Sequence, residues 1–318
     1  MKTSLNGLLF VTLTGLTTSV FAADQVNNDY WRVSSNVYME LEKFEGHHNT
    51  SGRKVYDKTT MVGQLFLANP ESKWSFFLEH KESLRSYNHN FSTSKDSFIR
   101  NRTQIGATRK MYASDIGQFN LNVTYRKESN DSAPGTQARP SNTMFWLMPS
   151  GTYNFNDKWA FNFWDAVYHY DNFHAPNSYE WESEHGLVYK VNDSATAKVY
   201  LYTDWTWDKD FNKTWEQNQI RGYFPITLNQ DWSVMPYFRY YLNEHNYDSN
   251  KRTTQKVKDG YRVGTQVFYN LTPKLTLWGG FAVEPSTWEN PKNAGITSGG
   301  NNRQTFYLGQ LGVKYQWQ

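Results

Sequence analysis

The sequence predicts an all-β fold: a fourteen-stranded antiparallel transmembrane β-barrel with short periplasmic turns and long extracellular loops. Three observations predict it. The composition is polar yet rich in aromatics, the hydropathy alternates with period two over long segments, and the connections alternate between long and short. Aromatics make up 17% of the 318 residues, while mean hydropathy is −0.78. A soluble core needs fewer aromatics, and a helical membrane protein cannot be so polar. A wall with one apolar and one wet side accommodates both. With no Cys, disulfides, thiolate metal sites and Cys nucleophiles are excluded. A net charge of +3 gives no basic footprint for nucleic acid.

Residues 1–22 read as a signal peptide. Met1-Lys2 gives a positive start, the stretch from Leu5 to Phe21 is modestly apolar, and Ala22-Ala23 offers small residues for cleavage after Ala22. That stretch is shorter than the roughly 20 residues a spanning helix needs, which argues against a membrane anchor. Residues 23–318 form the expected barrel domain. The longest purely apolar run there is Met144-Phe145-Trp146-Leu147-Met148. Only helices or closed barrels satisfy their backbone in lipid, so a spanning fold here must be a barrel.

The strands follow in order. Trp31, Val33, Val37, Met39 and Leu41 alternate with Arg32, Asn36, Tyr38, Glu40 and Glu42. The same dyad recurs at 74–81, 119–126, 179–190, 197–205, 234–242 and 307–317. Short polar turns fall at 69–72, 113–116, 156–158, 192–194, 229–231 and 270–273, where Asn, Asp and Pro set tight turns. Longer polar loops fall at 44–56, 87–96, 129–140, 171–177, 208–214, 244–254 and 286–302. These thirteen connections join fourteen strands, with both termini on the periplasmic side. A soluble sandwich or propeller also alternates, but its strands run about 5–6 residues, and no blade-length repeat is present. Tyr30, Trp31, Trp74, Trp159, Trp232, Tyr269, Tyr315 and Trp317 lie beside short turns or termini and predict the periplasmic aromatic girdle.

With the polar phase inward, the expected cationic lining is Arg32, Lys73, Lys81, Arg85, Arg100, Arg102, Lys110, Arg126, Lys198, Arg221, Arg239, Lys258, Arg262 and Lys314. The anionic lining is Glu40, Glu42, Glu79, Asp165, Glu180, Glu182, Glu184, Asp204 and Glu284. The three carboxylates Glu180, Glu182 and Glu184 share one strand face, and arginines facing them across the bore are expected to relieve their repulsion. Such charge rings tune what passes; the same residues equally serve to keep the wall wet. Tyr38, Tyr200, Tyr202, Tyr223, Tyr237, Tyr241 and Trp278 point inward in this phase, available either to stack on sugar rings or to pack against loops. From Phe145 to Trp164 both faces are aromatic, and the phase stays open.

Taken in order, Tyr38-Met39-Glu40-Leu41-Glu42 with Phe44-Glu45-Gly46, Trp181-Glu182-Ser183-Glu184-His185-Gly186-Leu187, the run from Gln219 to Leu228, Val234-Met235-Pro236-Tyr237-Phe238-Arg239 and Tyr261-Arg262-Val263-Gly264 give the chain its family likeness. It resembles the monomeric outer-membrane porin G family over nearly the whole mature length. The resemblance implies a monomer in the lipid of a Gram-negative outer membrane, with no cofactor, forming a passive pore for small hydrophilic solutes including mono- and oligosaccharides. Related fourteen-stranded porins serve bulky saccharides such as cyclodextrins, so a dedicated channel for a bulky or acidic oligosaccharide is the alternative. The best-known member gates with pH through two lumenal histidines; lining up Tyr261-Arg262-Val263-Gly264 puts Lys258 and about Trp288 at those places. A gate by repulsion between two imidazoles therefore has no counterpart here, and the loop 244–254, with His245, Lys251 and Arg252, is the remaining gating candidate. The end Tyr315-Gln316-Trp317-Gln318 departs from a terminal aromatic.

An enzyme needs its catalytic groups on one face. Ser183 and His185 share a face but Glu184 points away, which is poor triad geometry, and no catalytic residues or metal ligands are assigned. A non-conducting structural barrel would have about eight strands and a filled interior.

Overall fold

A computed structural model describes residues 31–46, 56–69, 71–87, 97–132, 141–172, 176–247, 253–289 and 301–317. Its strands are β1 (Arg32–Gly46), β2 (Tyr56–Ala68), β3 (Trp74–Tyr87), β4 (Phe98–Ser114), β5 (Gly117–Ser132), β6 (Asn142–Asn154) and β7 (Trp159–Asn172). There follow β8 (Ser178–Asn192), β9 (Ala195–Trp207), β10 (Lys213–Tyr223), β11 (Trp232–Tyr247), β12 (Thr253–Thr272), β13 (Leu275–Glu289) and β14 (Asn301–Gln316). β10 breaks at Phe224-Pro225, because proline has no amide to give the ladder; it resumes as Ile226–Thr227 against the same two neighbours. Every strand pairs antiparallel with the next, and β1 pairs with β14 from Ser34↔Gln316 to Gly46↔Gln304. The sheet is thus closed, a fourteen-stranded barrel as the alternation predicts, and no edge remains.

Five of the six short turns share one device, an Asn or Thr side chain that accepts backbone amides. Asn69 Oδ1 accepts the amides of Glu71 and Ser72, Asn156 those of Lys158 and Trp159, and Asn229 those of Asp231 and Trp232. Asn192 does the same for Ser194, and Thr272 Oγ1 for Lys274 and Leu275. These side chains mimic a backbone turn. The sixth turn, Asp115-Ile116, leads into Gly117 with φ of +148°, where a Cβ would meet Thr152 O at 2.1 Å. Only glycine serves there.

The strands run further than the predicted loops allow at the other end. β5 continues to Ser132, β11 to Tyr247 and β13 to Glu289. Above the lipid both faces are wet, so the hydropathy dyad fades while the backbone ladder continues.

The burial pattern inverts that of a soluble protein. Glu40, Glu79, Gln104, Arg126, Asp204 and Gln219 are buried, whereas Val37, Leu41, Ile105, Val167, Phe281 and Leu311 are exposed. The polar phase faces inward and the apolar phase faces lipid. Trp31, Trp74, Trp159, Trp232, Tyr315 and Trp317 stand exposed at the short-turn end; Trp159 packs on Tyr189 and Trp232 on Tyr269, both with ring centroids 4.6 Å apart. Among the described residues no helix is long and apolar enough to cross a membrane.

Candidate functional site: the lumenal wall

Alternation along each strand carries the expected residues to the inner face. Glu40, Glu42, Glu79, Lys81, Arg85, Arg102 and Arg126 are buried there on β1, β3, β4 and β5. Glu180, Glu182, Glu184, Asp204, Arg221, Arg239 and Arg262 follow on β8 to β12. Arg100, Lys198, Tyr223, Tyr241, Glu284 and Lys314 share the inward phase but are only half-buried. Arg32, in the same phase, is exposed beside the first turn of the barrel.

Charge is laid out in sectors. Arg221, Arg239 and Arg262 are register partners on β10, β11 and β12 and form one arginine row. Arg262 Nε donates to Glu284 at 2.6 Å. Next to that row, β8 and β9 present Glu180, Glu182, Glu184 and Asp204. A second cationic sector holds Arg100 and Arg102, both paired with Glu128 at 3.0 and 2.6 Å. Lys58 pairs with Glu42.

The carboxylate row is relieved differently from the expectation. Arginines across the bore do not bear most of it; tyrosine hydroxyls on the adjoining strands do. Tyr170 donates to Glu180 at 2.5 Å, Tyr168 and Tyr202 donate to Glu182 at 2.9 and 2.6 Å, and Tyr202 also reaches Asp204 at 3.1 Å. Glu184 receives Tyr223 at 3.2 Å, Trp164 at 3.3 Å and Arg221 at 3.4 Å. Neighbouring strands stand only about 4.8 Å apart, so a donor one strand away reaches a carboxylate more readily than one across the lumen.

Four readings are corrected or resolved. Asp165 lies on the outer wall, because Trp164 and Ala166 occupy the inward phase of β7. His245 stands within β11 rather than in a loop: its Nδ1 is 2.8 Å from Glu216 Oε1, on the face opposite the buried Glu244. Ladder pairing to Tyr247 carries it into the strand. The open phase at 145–164 resolves with Trp146 and Trp164 inward, while Phe163 stacks on the outward Phe119 with centroids 6.4 Å apart. Lys73 sits in the first short turn, with φ of +58°, and both it and Lys110 are exposed rather than set deep in the bore. Lys251, Arg252 and the side chain of Lys258 lie outside the described residues.

Sequence reasoning missed Lys58 and Glu128, both buried partners of named residues. Glu128 continues the dyad Asn122, Thr124, Arg126 by one further step, and that periodicity could have found it. It also missed Trp146, Trp164, Tyr168 and Tyr170, which form an inward aromatic cluster with Met144 and Tyr202; the Arg126 guanidinium lies 4.8 Å from the Trp146 ring centre.

Glycines let long side chains cross the wall. Trp278 on β13 passes over Gly312 on β14 to donate to Asn36 on β1 at 2.9 Å, and a Cβ on Gly312 would sit 2.5 Å from its indole nitrogen.

A closed barrel with a charged inner face and a lipid-facing apolar wall defines a channel protein of the outer-membrane type. The family model of outer membrane protein G (OmpG) matches residues 28–315, and the chain belongs to that family of outer-membrane channels. Among curated proteins none matches the chain significantly. Among solved structures, the CymD monoaromatic hydrocarbon channel is similar at 6% identity with a TM-score of 0.55, covering 92% of this chain and 89% of its own. CdiB from Escherichia coli gives 11% identity and a TM-score of 0.51, covering 90% and 63%. The KdgM porin in complex with disordered oligogalacturonate gives 10% identity and a TM-score of 0.38, covering 89% and 99%. The likenesses to CymD and CdiB speak to the barrel fold alone.

Proposed function

We propose that the chain forms a water-filled pore for passive diffusion of small hydrophilic solutes, mono- and oligosaccharides above all, and that it does no chemistry on them. The observation that carries this reading is the inward phase itself: charged and amide side chains line the bore while the apolar residues face out. Sugar transit is supported by the inward aromatic cluster of Trp146, Trp164, Tyr168 and Tyr170 beside the Glu180–Glu184 row. An aromatic face takes the apolar face of a sugar ring, and neighbouring carboxylates accept its hydroxyls. The arginine row favours a second reading, a channel for acidic oligosaccharides, since guanidinium pairs with carboxylate in a planar fork. Liposome swelling with neutral sugars from mono- to hexasaccharide, beside their uronic-acid counterparts, tests both. Swelling that falls smoothly with size supports the general pore. Faster entry of the acidic series supports the second reading, and no swelling with any sugar contradicts both.

A further inference from the structure

β10 to β12 repeat one residue type in register. Arg221 on β10 stands opposite Arg239 on β11, and Arg239 stands opposite Arg262 on β12. All three are buried on the inner face. Like charges directly opposite one another destabilise a sheet, so each guanidinium needs an answer. The outer two have one. Arg221 Nε donates to Gln219 at 2.8 Å, its Nη1 reaches Glu184 at 3.4 Å, and its guanidinium carbon lies 3.1 Å from the Tyr202 ring centre. Arg262 Nε donates to Glu284 at 2.6 Å, and its guanidinium lies 4.6 Å from the Phe306 ring centre.

Arg239 differs. It is 5% exposed, its Nε is sealed from water and unbonded, and among the described residues no carboxylate or amide pairs with its guanidinium. The titratable groups that act on it most strongly are Arg221, Tyr223, Arg262 and Tyr237, none of them a carboxylate. Arginine does not shed its proton, and a buried charge without a partner is strongly destabilising. Keeping the wall wet does not require one. Gln219 and Gln266, inward on β10 and β12, are polar without charge.

The row holds three guanidiniums against Glu184 and Glu284, which leaves one positive charge over. That matches a single carboxylate, which a guanidinium meets in a planar fork. Tyr223 and Tyr241 add a second element of recognition. Tyr241 lies two residues beyond Arg239 on β11, and Tyr223 pairs with Tyr237, two residues before it. Both share the inward phase and are only half-buried, so part of each ring is open to the bore. An aromatic ring takes the apolar face of a pyranose. Strands tilted about 40° climb about 2.5 Å per residue, which puts Arg239, seven residues above the girdle residue Trp232, about 17 Å into a band about 25 Å tall.

We propose that Arg239 is a binding site for the carboxylate of a uronic acid, with Tyr223 and Tyr241 against the sugar ring. The site rests on the reading of the bore as a path for saccharides and names one class of sugar that pauses there. Arg239 is left unpaired in the empty barrel because its partner arrives with the solute.

Isothermal titration calorimetry of the purified chain in detergent at low salt compares glucuronate, glucose, acetate and glucose 6-phosphate. Glucuronate binds with a dissociation constant roughly tenfold or more below those of glucose and acetate, the gain expected of one charge-assisted pair. Glucose 6-phosphate binds more weakly than glucuronate, since its second charge finds no partner. Arg239→Gln brings glucuronate to the level of glucose. Arg239→Lys keeps the charge but not the fork, and loses most of the preference. Without ligand, Arg239→Gln shifts the heat-modifiable mobility transition to a higher temperature, because it removes an unpaired charge from between two others; an arginine kept for structure alone would shift it lower. Acetate or glucose 6-phosphate binding as tightly as glucuronate, undiminished glucuronate binding in either variant, or a lower transition temperature in Arg239→Gln overturns the proposal. Calorimetry needs no current. Selective binding in a barrel that does not conduct would therefore sink the channel reading and leave this site standing, and a conducting barrel without selective binding would do the reverse.

Discussion

The wall built by β8 and β9 and the wall built by β10 to β12 are neighbours on one barrel, with the same antiparallel ladder and the same two-residue period. Their inner faces are opposite in sign. β8 and β9 carry Glu180, Glu182, Glu184 and Asp204, while β10 to β12 carry Arg221, Arg239 and Arg262. The two walls also satisfy their charges differently. The acidic wall leans on tyrosine hydroxyls, which are neutral donors; in the arginine wall, Arg221 and Arg262 each reach a carboxylate. The ladder fixes where an inward side chain stands, and the side chains next to it fix whether its charge remains available to a passing ion.

The largest effect should come from inverting the cationic sectors. Changing Arg100, Arg102, Arg239 and Arg262 to Glu turns the bore toward cations, seen as a change of sign in the reversal potential across a salt gradient. An unchanged potential would remove these residues from the ion path. Neutralising Glu180, Glu182 and Glu184 to Gln should shift the potential the other way by a smaller amount, since tyrosines already occupy part of each carboxylate.

A third test probes how the charges are held. Glu128→Gln leaves Arg100 and Arg102 without their carboxylate in a buried position. Losing one partner of such a pair costs about 3 kcal/mol, and water in the bore will reduce that figure. Heat-modifiable gel mobility should report unfolding at a lower temperature. Gly312→Ala sets a methyl against the Trp278 indole and Tyr38 Cβ at 2.5 and 2.6 Å, and overpacking of this kind costs about 1–3 kcal/mol. The same assay reads it, and a mobility transition equal to that of the parent would mean that Trp278 swings away freely.

The smallest effect lies outside the membrane, in the turn between β9 and β10. Partial burial works to raise the Asp208 carboxyl. The amides of Asn212 and Asp210, each 2.9 Å from Oδ1, outweigh it and hold the carboxyl below the ordinary aspartate range. A depressed value means that this support is fully present above the ordinary aspartate pKa and is lost as pH falls through the folded value. Exchange protection of the Asp210 and Asn212 amides should therefore persist near neutrality and fade in acid, and Asp208→Ala should remove it at every pH.

Much of this was legible in the residues. Period two from Trp31 to Glu42 gave the first strand and its facing, and the Asn-led turns at 69–72, 156–158 and 229–231 gave strand direction and number. Charge identity along the polar phase named most of the inner wall. What escaped was pairing across strands. Tyr168 and Tyr170 look like ordinary aromatics until the register sets them opposite Trp146 and Met144 on one side and Glu180 and Ser178 on the other. Asp165 and Trp164 are consecutive in a stretch aromatic on both faces, where hydropathy has no contrast with which to set the phase. The hydropathy pattern places His245 in a loop because period two ends where lipid ends, whereas hydrogen bonding between strands does not.

Purified protein refolded into a planar lipid bilayer provides the most direct test. If a continuous aqueous bore runs through the barrel, discrete single-channel current steps appear and their size scales with salt concentration. A silent bilayer, with barrel insertion verified by protease protection and β-rich circular dichroism, would contradict the account.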